Sequence, residues 1–238
     1  MPRALAIETS GRIGSVALLD ENGAIEEREF HHGLQHAAGL IPLIDQLCTQ
    51  RGWKPTELQE VYVSAGPGSF TGLRIGITLA KTLAFTTGVK LVAVPTMRVL
   101  VANAPQEAQH AIIVLDAKRD QIFTARFQRI DQNWVEQEPA HLDTLAAMLT
   151  RSPRPIHLIG EGILYHQQHI PAGADDIIVT KPEAWRAKAG NLAALGAQMA
   201  AARQFVDPYQ LQPIYIRPPE AQEKLEAQQN ITTTSCGK

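Results

Sequence analysis

The chain of 238 residues carries a net charge of -2, with 45% hydrophobic and 19% charged residues. This is a globular composition with enough apolar material for two linked lobes. The scattered Lys and Arg exclude a large phosphate-neutralising surface, so any nucleic acid would have to be gripped together with a partner.

Residues 4–8, 14–19 and 24–30 read as strands, with Asp20-Glu21-Asn22-Gly23 as a hairpin turn. Leu40, Ile41, Ile44, Leu47 and Cys48 then form the apolar stripe of a helix that ends near Arg51-Gly52. Pro42 either kinks that helix or sits in its first turn. A strand from Val61 feeds a glycine loop and a second helix, and residues 89–94 form the next strand. The order is β-β-β-α-β-α-β. After a linker-like stretch at 101–109, strands are expected at 110–115, 121–127, 134–138, 155–159 and 176–179. Helices are expected at 142–149, briefly before residue 176, and at 188–203. The halves repeat one order of elements. This predicts an α/β protein of two β-β-β-α-β-α lobes, 1–105 and 106–217, in the duplicated fold of actin, Hsp70 chaperones and sugar kinases (ASKHA). Residues 218–238, rich in Glu, Gln and Lys, read as a disordered tail.

The most informative segment is Ala65-Gly-Pro-Gly-Ser-Phe-Thr-Gly-Leu-Arg-Ile-Gly76. Gly66 and Gly68 permit positive φ and close approach, while Ser69 and Thr71 offer hydroxyls where a helix N-cap is wanted. The spacing fits neither the dinucleotide fingerprint nor the phosphate-binding loop. Two readings stand: a nucleotide or anion loop, or a structural tight turn. In the helix beyond, Arg74, Thr78, Lys81 and Thr82 form a narrow polar strip, and Gly72, Gly76, Ala80 and Ala84 recur every fourth residue. Such a helix is buried on more than one side, either within its own domain or against a partner.

Catalytic chemistry is thin. The first phosphate-type turn has Glu8-Thr9-Ser10-Gly11 in place of Asp and a glycine turn; the second, Asp116-Ala-Lys-Arg-Asp120, has no glycine and bulky basic residues. Glu8 could carry a hydrated magnesium ion only from a displaced position. His32 and His36, at i,i+4, have no third ligand and no Glu between them, so they read as a surface or helix-start cluster rather than a metal site. Asp45 and Glu57 read as solvated charges. Ser69 has no assignable His and Asp partners. Two cysteines, Cys48 and Cys236, give no disulfide framework. The N-terminus shows no signal-peptide pattern and no run reaches membrane length, so a reduced, cytoplasmic setting is expected.

Ala6-Ile-Glu-Thr-Ser10, Leu40-Ile-Pro-Leu-Ile44, the Ala65–Gly76 string and Val94-Pro-Thr-Met97 resemble the TsaB (YeaZ) family of threonylcarbamoyladenosine biosynthesis proteins. Asp116-Ala-Lys-Arg119 and Ile214-Tyr-Ile-Arg217 are weaker echoes. The resemblance implies a non-catalytic relative of TsaD, the subunit that transfers threonylcarbamoyl to a tRNA adenosine beside the anticodon. TsaD's His-x-x-x-His metal ligands fall here on Thr96 and Leu100, which cannot replace imidazoles. It further implies pairing with a TsaD-like subunit, joined by the ATPase TsaE, and self-pairing when alone. Contact with tRNA would come only through the complex, and no cofactor is required, with ATP or ADP contact confined to the complex. On this basis Leu40, Ile44, Leu47, Leu73, Ile77, Ala80 and Ala84 are expected to build the partner interface. Two other readings compete: an independent nucleotide-dependent enzyme using Glu8, and a metalloprotease using His32.

Overall fold

The computed structural model describes residues 1–31 and 36–217. The first lobe contains β1 (Ala4–Glu8), β2 (Ile13–Leu19), β3 (Ile25–His31), α1 (His36–Gln50), β4 (Glu60–Gly66), α2 (Phe70–Thr87), β5 (Lys90–Pro95) and α3 (Thr96–Val101). The second contains β6 (His110–Asp116), β7 (Ile122–Ile130), β8 (Asn133–Asp143), α4 (Leu145–Arg151), β9 (Ile156–Ile159), α5 (Ile163–His166), β10 (Ile177–Val179) and α6 (Ala189–Ala201). The sheets are ordered β3-β2-β1-β4-β5 and β8-β7-β6-β9-β10. Each is an antiparallel three-strand meander extended by two parallel strands. The duplication is thus one of topology, as the repeated order of elements predicts.

The two-residue period of the strands builds a layered molecule. Leu5, Ile7, Val16, Leu18, Val61 and Val63 face α1 and α2 in one core. Their neighbours Ala4, Ala6, Ala17, Leu19 and Tyr62 face the other way, into a core shared with α3, α6, Ala111, Ile113 and Phe127 of the second sheet. Ile112, Val114 and Ile122 pack against α4 and α5 in a third core. The layers run α/β/α/β/α. Local signals end the elements: Asp20 Oδ1 accepts from Asn22 and Ala24 N–H at 2.9 Å in the hairpin turn, and Gly88, at φ 74°, caps α2 in the left-handed region. Pro42 lies inside α1, not at its start.

The two sheets separate between α3 and β6, but the chain after residue 188 does not stay with the second lobe. Helix α6 packs on β1, β2, β4 and β5 of the first sheet. Gly196 meets the Tyr62 ring there so closely that a Cβ would collide with it. The N–H of Ala189 donates to Ser15 Oγ and Glu27 Oε1, both at 2.8 Å, so first-lobe residues cap the helix and complement its dipole. Beyond α6, Val206 bridges to Leu91, Leu211 is buried in the α1–α2 core, and Ile214 N–H donates to Ala65 O at 2.7 Å. The reading of 106–217 as one lobe is therefore corrected: the chain returns to the first lobe from residue 189. A helix docks wherever its apolar face is covered, and small residues on β1 and β2 leave that space on the first sheet. His32 and the 218–238 tail lie outside the described residues.

Candidate functional site

The glycine loop is built as a helix start. Ser69 is the N-cap of α2 and its Oγ accepts from Gly72 N–H at 3.2 Å. Its own N–H donates to Ser10 O at 2.7 Å, which ties the loop to the β1–β2 turn. A Cβ on Gly68 would lie 2.6 Å from Ser10 O, and one on Gly66 (φ +109°) 2.7 Å from Ile214 O. Gly72 and Gly76 sit equally tightly on Thr9. The close approach these glycines permit is to the chain itself, to backbone at Gly66, Gly68 and Gly72 and to the Thr9 side chain at Gly76. Thr71 is exposed on the first turn of α2.

Both turn acids are engaged internally. Glu8 is fully buried. Its Oε1 accepts from Ser10 N–H at 2.7 Å and Ser10 Oγ at 2.5 Å, and its Oε2 accepts from Ser64 Oγ. Burial pushes its carboxyl above the usual range, with the Ser10 and Ser64 bonds opposing. Both oxygens of this carboxyl are thus engaged inside the chain. In the second turn Lys118 Nζ lies 2.8 Å from Asp116 Oδ2, and His166 Nε2 lies 3.3 Å from Oδ1. Burial pushes the Asp116 carboxyl up, but the bonds from Lys118 and His166 outweigh it and hold the group below its ordinary value.

The two turns face each other across an inter-lobe cleft of about 480 Å³. Ser10, Gly11, Arg12, Gly68 and Ser69 line one side; Asp116, Lys118, Phe123, Glu161 and Tyr165 line the other. Of the expected loop residues the structure brings Gly68 and Ser69 to this cleft. Arg12, Glu161 and Tyr165 escaped the sequence reading. The signal for the last two was present: Gly160-Glu161-Gly162 follows strand β9 as the glycine loop follows β4. A Cβ on Gly162 would lie 2.7 Å from Asp116 N, and Gly162 N–H donates to Val114 O at 3.0 Å. Burial raises the Glu161 carboxyl, with the Arg12 charge opposing.

The residues expected at the partner interface lie mostly inside the single chain. Leu40, Ile44, Leu47, Leu73, Ile77, Ala80 and Ala84 are all buried within the chain, from 0% to 9% exposed. Leu40, Ile44, Leu47, Ile77, Ala80 and Ala84 belong to the core between α1, α2 and the first sheet, and Leu40 also lines the groove that the two helices present outward. What the two helices present outward is a different, apolar groove of about 350 Å³, lined by Leu40, Ile41, Arg74, Ile75, Thr78, Leu79 and Thr82. Ile41 is 59% exposed. Part of the polar strip is spent on the chain's own C-terminal segment. Arg74 stacks 3.8 Å above Phe70 and donates from Nε to Tyr215 Oη at 3.0 Å, and Lys81 Nζ donates to Leu211 O at 3.3 Å. Cys48 is buried in this core, and burial pushes its thiol pKa up, as expected of a packing residue. Thr96 and Leu100 are buried at and within α3 and carry no imidazole, so a metal of the TsaD type does not fit there. Among the described residues no helix is long and apolar enough to cross a membrane.

Fold and cleft together define a duplicated actin/Hsp70/sugar-kinase-like protein whose two turn acids are held by its own side chains. Residues 32–223 match the family model described as TsaD: tRNA N6-adenosine threonylcarbamoyltransferase. The Bacillus subtilis tRNA threonylcarbamoyladenosine biosynthesis protein TsaB is 33% identical over 229 residues, 92% of this chain and 96% of that protein. The Escherichia coli TsaB is 30% identical over 135 residues, 56% of this chain and 58% of that protein. The structure of YeaZ from Pseudomonas aeruginosa superposes with a TM-score of 0.77 over 90% of this chain and 100% of that one, at 24% identity, which speaks to the fold. The chain belongs to the TsaB family, within the broader TsaD-type fold.

Proposed function

We propose that this chain is a non-catalytic scaffold subunit in the biosynthesis of threonylcarbamoyladenosine on tRNA. It pairs with a TsaD-like transferase, is joined by a TsaE-like ATPase, and self-pairs when alone. The observation that carries this reading is the exposed α1–α2 groove, where Ile41, Ile75 and Leu79 stand between the polar side chains of Arg74, Thr78 and Thr82. A contiguous apolar groove rimmed by polar groups is the pattern of a protein-binding face. The internally satisfied Glu8 supports the absence of a catalytic role. Contact with ATP or ADP within the complex would fall in the inter-lobe cleft, where Arg12, Lys118 and the Ser69 hydroxyl are the groups suited to phosphate. Contact with tRNA comes through the assembled complex, in keeping with the net charge of -2.

The test is reconstitution of tRNA modification from purified subunits. Modification should require this chain and be lost when Leu79→Arg blocks the groove. Equal modification by the other subunits alone would overturn the scaffold reading.

A further inference from the structure

The β6–β7 turn runs through Lys118, Arg119 and Asp120, three consecutive non-glycine residues at positive φ. It brings Asp120 beside the segment that carries His166 and His169. Asp120 Oδ1 lies 2.7 Å from His169 Nε2 and 3.8 Å from His166 Nδ1, and one donor atom from each residue falls within 4.8 Å of the others. His166 is 2% exposed, and its buried Nδ1 has no hydrogen-bond partner. Its other nitrogen faces Asp116 Oδ1 at 3.3 Å. With the proton on Nε2 donated to that carboxylate, Nδ1 keeps a lone pair 3.8 Å from Asp120 Oδ1. A carboxylate behind one imidazole nitrogen and a free lone pair on the other is the arrangement that orients a metal-ligating histidine. The Lys118 ammonium sits on the opposite oxygen of Asp116, so Asp116 serves as support rather than as a ligand.

We propose that Asp120, His166 and His169 form a three-ligand site for a divalent transition-metal ion, with the two-nitrogen, one-oxygen donor set that suits zinc. Zinc–ligand bonds of about 2.0–2.2 Å place tetrahedral donors about 3.4 Å apart. The observed separations of 2.7 Å and 3.8 Å bracket that spacing, and Asp120, with a side chain 61% exposed, is free to adjust. Asp116, Lys118 and Tyr165, which surround the site, also line the inter-lobe cleft. A bound ion therefore staples the β6–β7 turn to α5 and fixes the second-lobe wall of that cleft.

The test uses the full chain, stripped of metal by a chelator and titrated with zinc in a calorimeter. One equivalent should bind, and His169→Gln and Asp120→Asn, both at accessible side chains, should each weaken it about tenfold or more. Asp116→Asn should weaken it about tenfold through loss of support. A His32→Gln/His36→Gln double variant should bind as the parent does, which separates this site from the N-terminal histidines. Cobalt(II) should give the visible bands of a four- or five-coordinate site, and zinc should raise the Tm of the parent but not of His169→Gln. Absence of stoichiometric binding, equal binding by parent and His169→Gln, or loss of binding only in the N-terminal double variant would each overturn the assignment.

Discussion

Gly72→Ala tests whether the small-residue stripe of α2 serves the chain's own backbone. Ala is the better helix former by about 1 kcal/mol, so in an open helix the change stabilises. At Gly72 a Cβ would overlap the Thr9 carbonyl oxygen, with the carbonyl carbon 3.1 Å and Ser69 Cβ 3.3 Å away. Thr9 and Ser69 are pinned by the β1–β2 turn and the Ser69-to-Ser10 bond, so neither can retreat cheaply. Overpacking of a well-packed site costs about 1–3 kcal/mol, and an encounter with backbone belongs at the upper end. The net expectation is a loss of about 2 kcal/mol, or a fall in Tm of about 4–8 °C for a chain of this length. Urea unfolding followed by circular dichroism measures it. Gly39→Ala is the matched control: in α1 a Cβ at Gly39 meets nothing within 4 Å, so that variant should gain about 0.5–1 kcal/mol. If Gly72→Ala is as stable as Gly39→Ala, the tight seat on Thr9 is wrong and the stripe is free for another partner.

Ser69→Ala removes the N-cap of α2 and should cost about 1 kcal/mol, whereas Ser69→Gly should cost only a few tenths by the same unfolding assay. Glu8 is raised above its ordinary value of 4.5 in the folded chain. Its contribution to stability is therefore fully present below that value and is lost as pH climbs through the raised folded value. Glu8→Gln should flatten this loss, so the variant gains on the parent as pH rises above the ordinary carboxyl value; parallel pH curves would refute the assignment. Leu79→Arg, on the groove rim, should leave the Tm near that of the parent and reduce dimer mass by light scattering. Ala80→Arg, one residue away at a fully buried position, should unfold the first lobe. Undiminished pairing by Leu79→Arg would remove the groove from consideration.

The strands and main helices were legible because their side-chain periods are enforced by the layers they separate. Leu5 and Ile7 against Ala4 and Ala6 already encode two different neighbours. The small stripe was legible as a close approach but not as an approach to Thr9, since spacing reports that a backbone comes near and not which one. The same ambiguity put Leu73, Ile77 and Ala80 on the outward arc although they are buried, while Ile75 and Leu79 on the neighbouring arc line the exposed groove. The second glycine loop was hidden because α5 spans only Ile163–His166, too few residues to show a helical period. The return of α6 to the first sheet leaves no local trace either. It depends on space left by alanines far away in the sequence.

The turn acids show two ways in which a fold of this class holds an acidic residue with its own side chains. In the first lobe the longer stem of Glu8 carries its carboxyl into the sheet, where Ser64 on β4 and Ser10 in the turn occupy both oxygens. In the second lobe Asp116 keeps the shorter stem and remains at the cleft, but Lys118 and His166 engage its two oxygens. Each arrangement satisfies a buried or half-buried carboxyl locally, with partners on both of its oxygens. The two solutions differ in consequence. Sealing Glu8 leaves nothing exposed, whereas anchoring Asp116 orients His166 so that its other nitrogen faces Asp120 and His169. The first turn has become packing material under the glycine loop, while the second keeps Asp120, His166 and His169 within reach of one another.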